Sequence, residues 1–265
     1  MYGCGSASSN QFLQTSYEII HKDTRLQVDF GNGALYQRCR AEGGIYPALD
    51  SINNILFTHS HPDHTVDLTR HVVAWKYSPG YSPGKPVNLY ASEYSLKQIK
   101  HMLDELGLEG MYEEIFIPHV LEEGVATQIE TLTITPFHVS HMDGALGIRF
   151  QTDSGKQVVF TGDTGWYEGI EANFQDVDLL IVECSFFDYD HHMHLNLRQI
   201  GDICQVSNPG AVVLVHFYPE MENKTHDEIQ DELKRYYQGP LFPGEDGLKL
   251  ELRESNGMWE LHKLF

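Results

Sequence analysis

Four side chains able to bind a metal ion occur within six consecutive residues, directly after an apolar run at 54–58: His59, His61, Asp63 and His64. In an extended chain, side chains two positions apart point to the same side, so His59 and His61 can grip one ion. Pro62 stops the strand, and Asp63 and His64 then begin a helix that turns toward a neighbouring position. The string therefore predicts two adjacent metal sites rather than a chance cluster of surface histidines, although Asp63 alone would be an ordinary helix cap.

Strand and helix patterns alternate along the chain. Runs rich in β-branched and aromatic residues predict strands at 26–30, 54–58, 87–90, 132–137, 158–161, 179–182 and 211–217. Helices are predicted at about 63–77, 93–106, 195–206 and 225–237. Many strand runs are continuously apolar, as expected for a sheet covered on both faces. The absence of a long linker predicts one α/β domain over 1–265, built from halves at about 1–125 and 126–265.

Histidine is abundant in this chain, whereas cysteine is scarce. There are 15 histidines and 4 cysteines, and the cysteines are far apart, without a C-x-x-C pair. Any transition-metal site is therefore expected to use imidazole and carboxylate ligands. The net charge of −20 opposes broad, non-specific binding of nucleic acid.

The sequence has no apolar run of about 18 residues. Residues 1–10 contain neither a basic region nor an apolar run, so a signal peptide is not predicted. We therefore expect no membrane association and a cytoplasmic location.

The H-x-H-x-D-H string resembles the hallmark of hydrolases with the metallo-β-lactamase fold, and nearly all of the chain resembles that family in the same order. Segment 137–150, FHVSHMDGALGIRF, is similar to the region of the third histidine ligand, where a short loop and a G-x-R strand follow. The T-G-D at 161–163 is similar to the motif whose aspartate bridges two metals, and His216 in L-V-H-F is similar to the final ligand. The resemblance implies a four-layer αβ/βα sandwich.

The resemblance also implies seven metal ligands. One metal is expected on His59, His61 and His141, the other on Asp63, His64 and His216, with Asp163 shared between them. Family spacing favours His141 as the third ligand, whereas chemistry alone does not separate it from His138, which would otherwise pack beside the site or support it. The set leaves room for a bridging hydroxide between two divalent ions, with zinc as the first expectation and manganese or iron as alternatives. Two ions about 3.5–4 Å apart lower the pKa of bound water to about 7.

Within the family, the segment from His141 to Arg149 resembles the ribonuclease Z-like phosphodiesterases. The H-T-P-G-H-like third motif of β-lactamases, glyoxalases and many lactonases is missing. Glu183 in V-E-C-S and His194 in H-L-N are similar to a glutamate and a histidine of that branch, which implies that Glu183 orients His194 to assist the departing oxygen. The alternative is that Glu183 is a structural ion-pair partner and His194 belongs to a surface group at 191–194.

Two further features resemble the branch or fit its cleft. The segment at 244–250 resembles the closing D-G strand of these enzymes, to which we assign a structural role. The glycines at 3, 5, 31 and 33 fit tight loops near the cleft and ordinary turns equally well.

One departure from the branch concerns substrate size. Ribonuclease Z enzymes that mature transfer RNA carry a long Gly/Pro-containing arm between the third histidine and the bridging aspartate. Here Asp163 follows His141 by 22 positions, which two strands and a turn already fill. Together with the acidic composition, this favours a compact phosphodiesterase acting on small, including cyclic, phosphate esters.

The predicted function is therefore a dinuclear metal-dependent phosphodiesterase with Asp63, Glu183 and His194 as catalytic residues and a small phosphodiester as substrate. The alternatives are a ribonuclease Z-type endonuclease that processes tRNA 3′ ends, a lactonase or other ester hydrolase, and a non-catalytic metal-stabilised binding protein. A homodimer is expected from the resemblance alone.

Overall fold

The computed structural model describes residues 1–81, 84–253 and 258–263 as alternating strands and helices. The strands are β1 (Tyr17–His21), β2 (Thr24–Val28), β3 (Asn54–Leu56), β4 (Val87–Ala91), β5 (Phe116–Val120), β6 (Thr127–Ile129), β7 (Leu132–His138), β8 (Leu146–Thr152), β9 (Gln157–Phe160), β10 (Leu179–Glu183), β11 (Val212–Val215), β12 (Leu241–Pro243), β13 (Leu248–Arg253) and β14 (Met258–Lys263). The helices are α1 (Ala34–Glu42), α2 (Ile45–Asp50), α3 (Pro62–Thr65), α4 (Asp67–Tyr77), α5 (Glu93–Glu105), α6 (Met111–Ile115), α7 (Leu197–Ser207), α8 (Pro219–Glu222) and α9 (His226–Leu233), with a 3-10 turn at Ile170–Phe174. None of the helices in these ranges is long and apolar enough to cross a bilayer.

Two large sheets contain most of the strands. The first has the order β1-β2-β3-β4-β5, in which only the β1–β2 pair is antiparallel. The second has the order β12-β11-β10-β9-β8-β7-β6, antiparallel from β6 to β9 and parallel from β9 to β12. Loops that follow β3, β9, β10 and β11 leave the carboxyl ends of parallel strands, where open α/β sheets bind their ligands.

Three hydrophobic cores separate four layers. One contains Leu68 of α4 and packs the first sheet against its helices. Another contains Ile203 of α7 and packs the second sheet against the helices of the C-terminal half. The third lies between the sheets and joins Leu56 of β3 to Phe160 of β9 and Val213 of β11. This order of helix, sheet, sheet and helix confirms the predicted four-layer α/β sandwich; the extent of the domain stays a prediction.

The helix predicted at 63–77 is interrupted just after the histidine motif. The N–H of Asp67 donates to the carbonyl of Phe30 (3.0 Å) instead of continuing one helical ladder. A Cβ atom on Gly31 would lie 2.1 Å from the carbonyl oxygen of Asp63, so the chain at 29–31 presses directly on the first helical turn. The prediction of one helix is wrong because this contact ends α3 at Thr65 and lets α4 begin at Asp67.

Candidate metal centre

The histidine motif leaves the end of β3 in an extended conformation. The rings of His59 and His61 lie edge to face, with centroids 4.8 Å apart, so the two side chains are close together as their spacing predicts. Pro62 occupies the first turn of α3, and the helix carries Asp63 and His64 into the protein, where both are buried. The local sequence therefore places His59 beside His61, and Asp63 and His64 on the helix that follows, as predicted.

The second sheet brings three more side chains to the same place. His141 follows β7, Asp163 follows β9 and His216 follows β11. Oδ2 of Asp163 lies 3.2 Å from Nε2 of His216 and 3.7 Å from Nε2 of His141. The same oxygen lies 3.7 Å from Nε2 of His59, while Oδ1 lies 3.4 Å from Nε2 of His64. Asp163 is thus at the centre of residues drawn from both sheets.

The seven side chains of the predicted ligand set form two compact groups, in each of which all candidate ligand atoms lie within 4.8 Å of one another. One group is His59, His61, His141 and Asp163, and the other is Asp63, His64 and His216. Oδ2 of Asp63 lies 3.3 Å from Nε2 of His216, which closes the second group, and Asp163 contacts members of both. The grouping is the one that the resemblance implies.

Four of the five imidazoles are held at Nδ1 by another part of the protein. The partners of these nitrogens are Thr58 Oγ1 for His59 (3.1 Å), Asp29 Oδ2 for His64 (2.8 Å), the Met193 carbonyl for His141 (3.1 Å) and Ser185 Oγ for His216 (3.2 Å). His61 differs, because its Nδ1 faces Nε2 of His141 at 3.0 Å. Partners of this kind fix the ring orientation of metal-binding histidines.

Asp29 is a residue of the candidate site that the sequence analysis missed. Its buried carboxylate contacts the His64 ring and also accepts hydrogen bonds from the backbone N–H and the hydroxyl of Thr58, both at 2.8 Å. The prediction included Asp29 in a strand, whereas β2 ends at Val28 and Asp29 turns inward with a φ of 53°. A carboxylate that interrupts the apolar run at the end of a strand was the available signal.

Electrostatics divides the histidines into two kinds. Burial, together with the neighbouring His64, holds the pKa of His59 well below its usual value, and burial also lowers the pKa of His61 and His141. Burial opposes the charged form of His64 as well, but three carboxylates, led by that of Asp163, raise its pKa well above the usual value. Despite the same burial penalty, the pKa of Asp163 is lowered well below its usual value by His216 and His64.

The chemistry of the donor set fits divalent cations. Nε2 of His59 and Nε2 of His64 are buried, and neither has a hydrogen-bond partner in the part of the chain that the structure describes. A buried polar atom without a partner costs free energy. Both nitrogens face the Asp163 carboxylate, so a cation between the nitrogens and this carboxylate would remove that cost. Imidazole with carboxylate is a ligand combination that zinc, iron and manganese accept.

Glu183 and His194 form a buried pair beside the cluster. Oε1 of Glu183 lies 3.0 Å from Nδ1 of His194 and accepts the N–H of Thr164 at 2.7 Å. Although burial would lower it, the Glu183 carboxylate raises the pKa of His194 to about 9. His194 is therefore not a surface histidine, in contrast to the exposed His192.

Further aromatic groups enclose His194. Its ring stacks on that of His216, with centroids 5.3 Å apart, and lies 5.1 Å from the ring of His141. Tyr218, which the sequence analysis missed, lies 5.4 Å from His194 and 5.8 Å from His216. His194 also shares a third group of potential ligands with Asp163 and His216. The pair with Glu183 thus faces the same space as the candidate ligands.

His138 does not belong to this cluster. Its side chain is exposed, with Nδ1 3.5 Å from Oε1 of Glu123, and its ring packs against Tyr167 at 5.3 Å. Of the two histidines that chemistry alone left open, His141 is the one that the fold brings to Asp163.

The comparison with protein families agrees with this geometry. A family model described as "Beta-lactamase superfamily domain" matches residues 24–217. The chain belongs to this superfamily. The matched residues extend from β2 to the loop after β11 and include all seven clustered side chains from His59 to His216.

Several known proteins are similar to the chain over most of their length. The probable metallo-hydrolase YhfI of Bacillus subtilis is 26% identical over 260 residues, covering 94% of this chain and 97% of YhfI. The crystal structure of YhfI matches with a TM-score of 0.77 and 21% identity, covering 92% and 95% of the two chains. A ribonuclease Z of Haloarcula marismortui is 23% identical over 307 aligned residues, covering 93% and 94%. A crystal structure described as a new diphosphatase from the PhnP family matches with a TM-score of 0.70 and 20% identity, covering 95% and 96%. The superfamily is therefore confirmed, and proteins named ribonuclease Z are among the relatives similar to the chain.

Proposed function

We propose that the chain is a phosphodiesterase that uses two divalent cations, zinc being the first expectation. The observation that carries this proposal is the central position of Asp163, which contacts both groups of candidate ligands beside the Glu183–His194 pair. One cation is assigned to His59, His61 and His141, the other to Asp63, His64 and His216, with Asp163 shared. Bound there, two cations supply an activated water as nucleophile and neutralise charge on the substrate oxygens.

His194 is assigned to the departing oxygen. A pKa of about 9 keeps its imidazole protonated at neutral pH, so a proton is available at the ring nitrogen that Glu183 does not hold. Glu183 fixes the ring through Nδ1 and stabilises the imidazolium. After the His194 ring has donated its proton, the Glu183 carboxylate favours reprotonation of the ring by water.

Asp63 has two tasks in this proposal. It belongs to the second ligand group, and His64 and His216 keep its carboxylate ionised by lowering its pKa against the effect of burial. An ionised oxygen 3.3 Å from Nε2 of His216 also orients any water in that space, because it accepts hydrogen bonds but donates none.

The substrate is proposed to be a small phosphodiester. Residues 142–162 are occupied by β8, β9 and their turns, so the structure leaves no room for an inserted RNA-clamping arm between His141 and Asp163. The net charge of −20 also repels a long phosphate backbone. Ribonuclease Z activity remains the second candidate because a relative named ribonuclease Z aligns with 93% of the chain.

Hydrolysis of bis(p-nitrophenyl) phosphate by the metal-loaded protein tests the proposal. We expect metal-dependent release of p-nitrophenolate, no cleavage of precursor transfer RNA, and no turnover of lactones or thioesters assayed in parallel. A fully loaded protein that opens lactones but leaves the diester intact would contradict the phosphodiesterase assignment. Absence of all turnover, with metal retained, would favour the non-catalytic alternative.

Asp163→Ala tests the shared ligand. Because this carboxylate contacts both groups, its loss is expected to abolish binding of two cations and diester hydrolysis together. Metal content by elemental analysis and the rate of p-nitrophenolate release are the two measurements. Turnover at the wild-type rate in this variant would remove the proposed bridge.

A further inference from the structure

The backbone of His216 adopts a conformation that side chains disfavour. β11 ends at Val215, and His216 follows with a φ of 60°, in the left-handed region that is rare for residues other than glycine. Its side chain is buried, with Nε2 3.2 Å from Asp163 and 3.3 Å from Asp63. Because the backbone angle sets the direction of the imidazole, whatever maintains this turn also places the ring.

One carbonyl group, that of Cys4, holds the turn from the N-terminal side. It accepts hydrogen bonds from the N–H of His216 (2.7 Å) and the N–H of Phe217 (3.2 Å). On the other side, the hydroxyl of Ser185 lies 3.2 Å from Nδ1 and 3.3 Å from the carbonyl oxygen of His216. The carbonyl of Cys4 and the hydroxyl of Ser185 thus contact His216 from two sides.

A carboxylate in the closing segment holds the backbone N–H of Cys4. Oδ1 of Asp246 accepts the N–H of Cys4 at 3.2 Å, and Oδ2 accepts the N–H of Leu13 at 2.7 Å. The surrounding backbone adds bonds from Met1 N to the Leu248 carbonyl (2.8 Å) and from Gly244 N to the Leu214 carbonyl (2.8 Å). Among the contacts described for Asp246, those with Cys4 connect it to the candidate ligands.

Two glycines let the N-terminal segment that contains Cys4 pack closely against residues 9–14. A Cβ atom at Gly3 would lie 2.0 Å from the carbonyl oxygen of Gln14, and one at Gly5 would lie 2.5 Å from Oγ of Ser9. Both distances exclude a side chain without movement of the backbone or its neighbours. Of the glycines for which the sequence left tight loops and ordinary turns open, Gly3 and Gly5 therefore allow close packing of the backbone.

We propose that Asp246 is a positioning residue for His216 and acts through the backbone of Cys4, whose N–H it binds and whose carbonyl accepts the N–H of His216. The D-G segment then does more than close the fold, because its carboxylate maintains the left-handed turn that directs one imidazole of the second ligand group. If Asp246 is changed, the cation at Asp63, His64 and His216 is expected to bind more weakly. This consequence rests on the two-metal function proposed above. The hydrogen-bond chain itself does not depend on any cation.

Asp246→Asn is the test variant, and Glu222→Gln is its matched control. The asparagine keeps the size of the side chain but has one acceptor oxygen for two N–H groups. Glu222 also binds the N-terminal segment through its carboxylate, at the N–H of Asn10 (3.0 Å) and the hydroxyl of Ser9, and it does not contact Cys4. Both substitutions remove one negative charge.

Amide hydrogen exchange in the metal-free protein is the first measurement. We expect the amides of His216 and Phe217 to exchange about tenfold faster in Asp246→Asn, while Glu222→Gln leaves them unchanged. The amide of Thr164, which donates to Glu183, is the internal reference and should keep its wild-type rate in both variants. Equal acceleration at His216 and Thr164 would mean general destabilisation and would overturn the proposal, as would unchanged exchange at His216.

Zinc titration of the same proteins against a chromophoric chelator is the second measurement. In Asp246→Asn, one of two zinc affinities should fall by about tenfold and the other should stay within about twofold, with Glu222→Gln like the wild type. Two unchanged affinities in Asp246→Asn would overturn the proposal. Wild-type protein that binds fewer than two zinc ions would count against the proposed function instead, while the exchange experiment would still decide the role of Asp246.

Discussion

The carboxylate of Glu183 holds the ring of His194 at 3.0 Å and, through the same oxygen, the N–H of Thr164 at 2.7 Å. A single buried group therefore sets both the proposed proton donor and the loop that follows Asp163. The second oxygen accepts the hydroxyl of Ser185, which in turn contacts His216. Proton donation and the ligand cluster are expected to respond together when this carboxylate is changed.

His194→Ala is expected to reduce kcat according to the leaving group. For a diester with an alkyl alcohol as leaving group, the loss of the proton donor should lower kcat by about 10²–10⁴-fold. For bis(p-nitrophenyl) phosphate the loss should be much smaller, because p-nitrophenolate departs without a proton. Steady-state kinetics on both substrates provides the measurement, and the exposed neighbour His192→Ala is the control. Equal losses on the two substrates would contradict the assignment.

Asp29→Asn is expected to lower the pKa of His64. The Asp29 carboxylate raises this pKa by stabilising the imidazolium, so its neutralisation shifts the titration of the ring to lower pH. The loss of a fixed acceptor at Nδ1 should also weaken metal binding by about 10–100-fold. NMR titration of the metal-free protein and a metal-binding titration measure the two effects. Asp23→Asn, at an exposed position of equal charge, should change neither.

Gly31→Ala is expected to damage the centre although glycine 31 contributes no side chain to it. The added methyl group would meet the carbonyl oxygen of Asp63 at 2.1 Å, so α3 must shift. We expect a loss of about 1–3 kcal/mol in the free energy of unfolding and weaker metal binding. Gly84→Ala, where no atom lies within 4 Å of the added carbon, is the control for thermal melts and metal titrations. A Gly31→Ala variant indistinguishable from this control would refute the close contact.

His71→Leu is expected to remove part of the acid sensitivity of the fold. His71 is fully buried, and neither ring nitrogen has a hydrogen-bond partner among the described residues, so burial, aided by Arg38, lowers its pKa to about 3. The unfolded chain binds a proton below about pH 6.5, which the folded chain does not bind until about pH 3. Stability is therefore lost as the pH falls through this range, by about 1.4 kcal/mol per pH unit.

Denaturant unfolding between pH 7 and 4 checks this expectation. The free energy of unfolding of His71→Leu should fall less steeply with decreasing pH than that of the wild type. His101→Leu, at an exposed position on α5, should retain the wild-type slope. A wild-type slope in His71→Leu would show that this imidazole is not neutral in the folded state.

Sequence reasoning succeeded where short-range geometry decides the structure. His59 and His61 share a side because alternate residues of an extended chain do so, and Pro62 begins the helix that carries His64. His141, Asp163 and His216 lie far from this motif in the sequence. Their place in the site was predicted from the order of motifs in the family resemblance and not from a local pattern. The hydrophobic runs likewise predicted most central strands, since these are buried on both faces.

Other features depended on contacts that no local pattern contains. Asp29 reads as part of a strand until the fold shows its positive φ and its bond to His64. β5 was missed because Pro118 argues against a strand, yet β5 is the edge of its sheet, where proline is tolerated. The break between α3 and α4 arises from Phe30 and Gly31, which pack against the helix from another segment.

Each of the two ligand groups combines residues that follow β3 with residues from the second sheet. A chain cut between β5 and β6 would give two fragments, each with an incomplete set of donors for either cation. Chelators should therefore loosen the docking of the fragments, and added zinc should promote their reassembly. On the proposed function, diester hydrolysis would require both fragments, because each carries only part of the candidate ligand set.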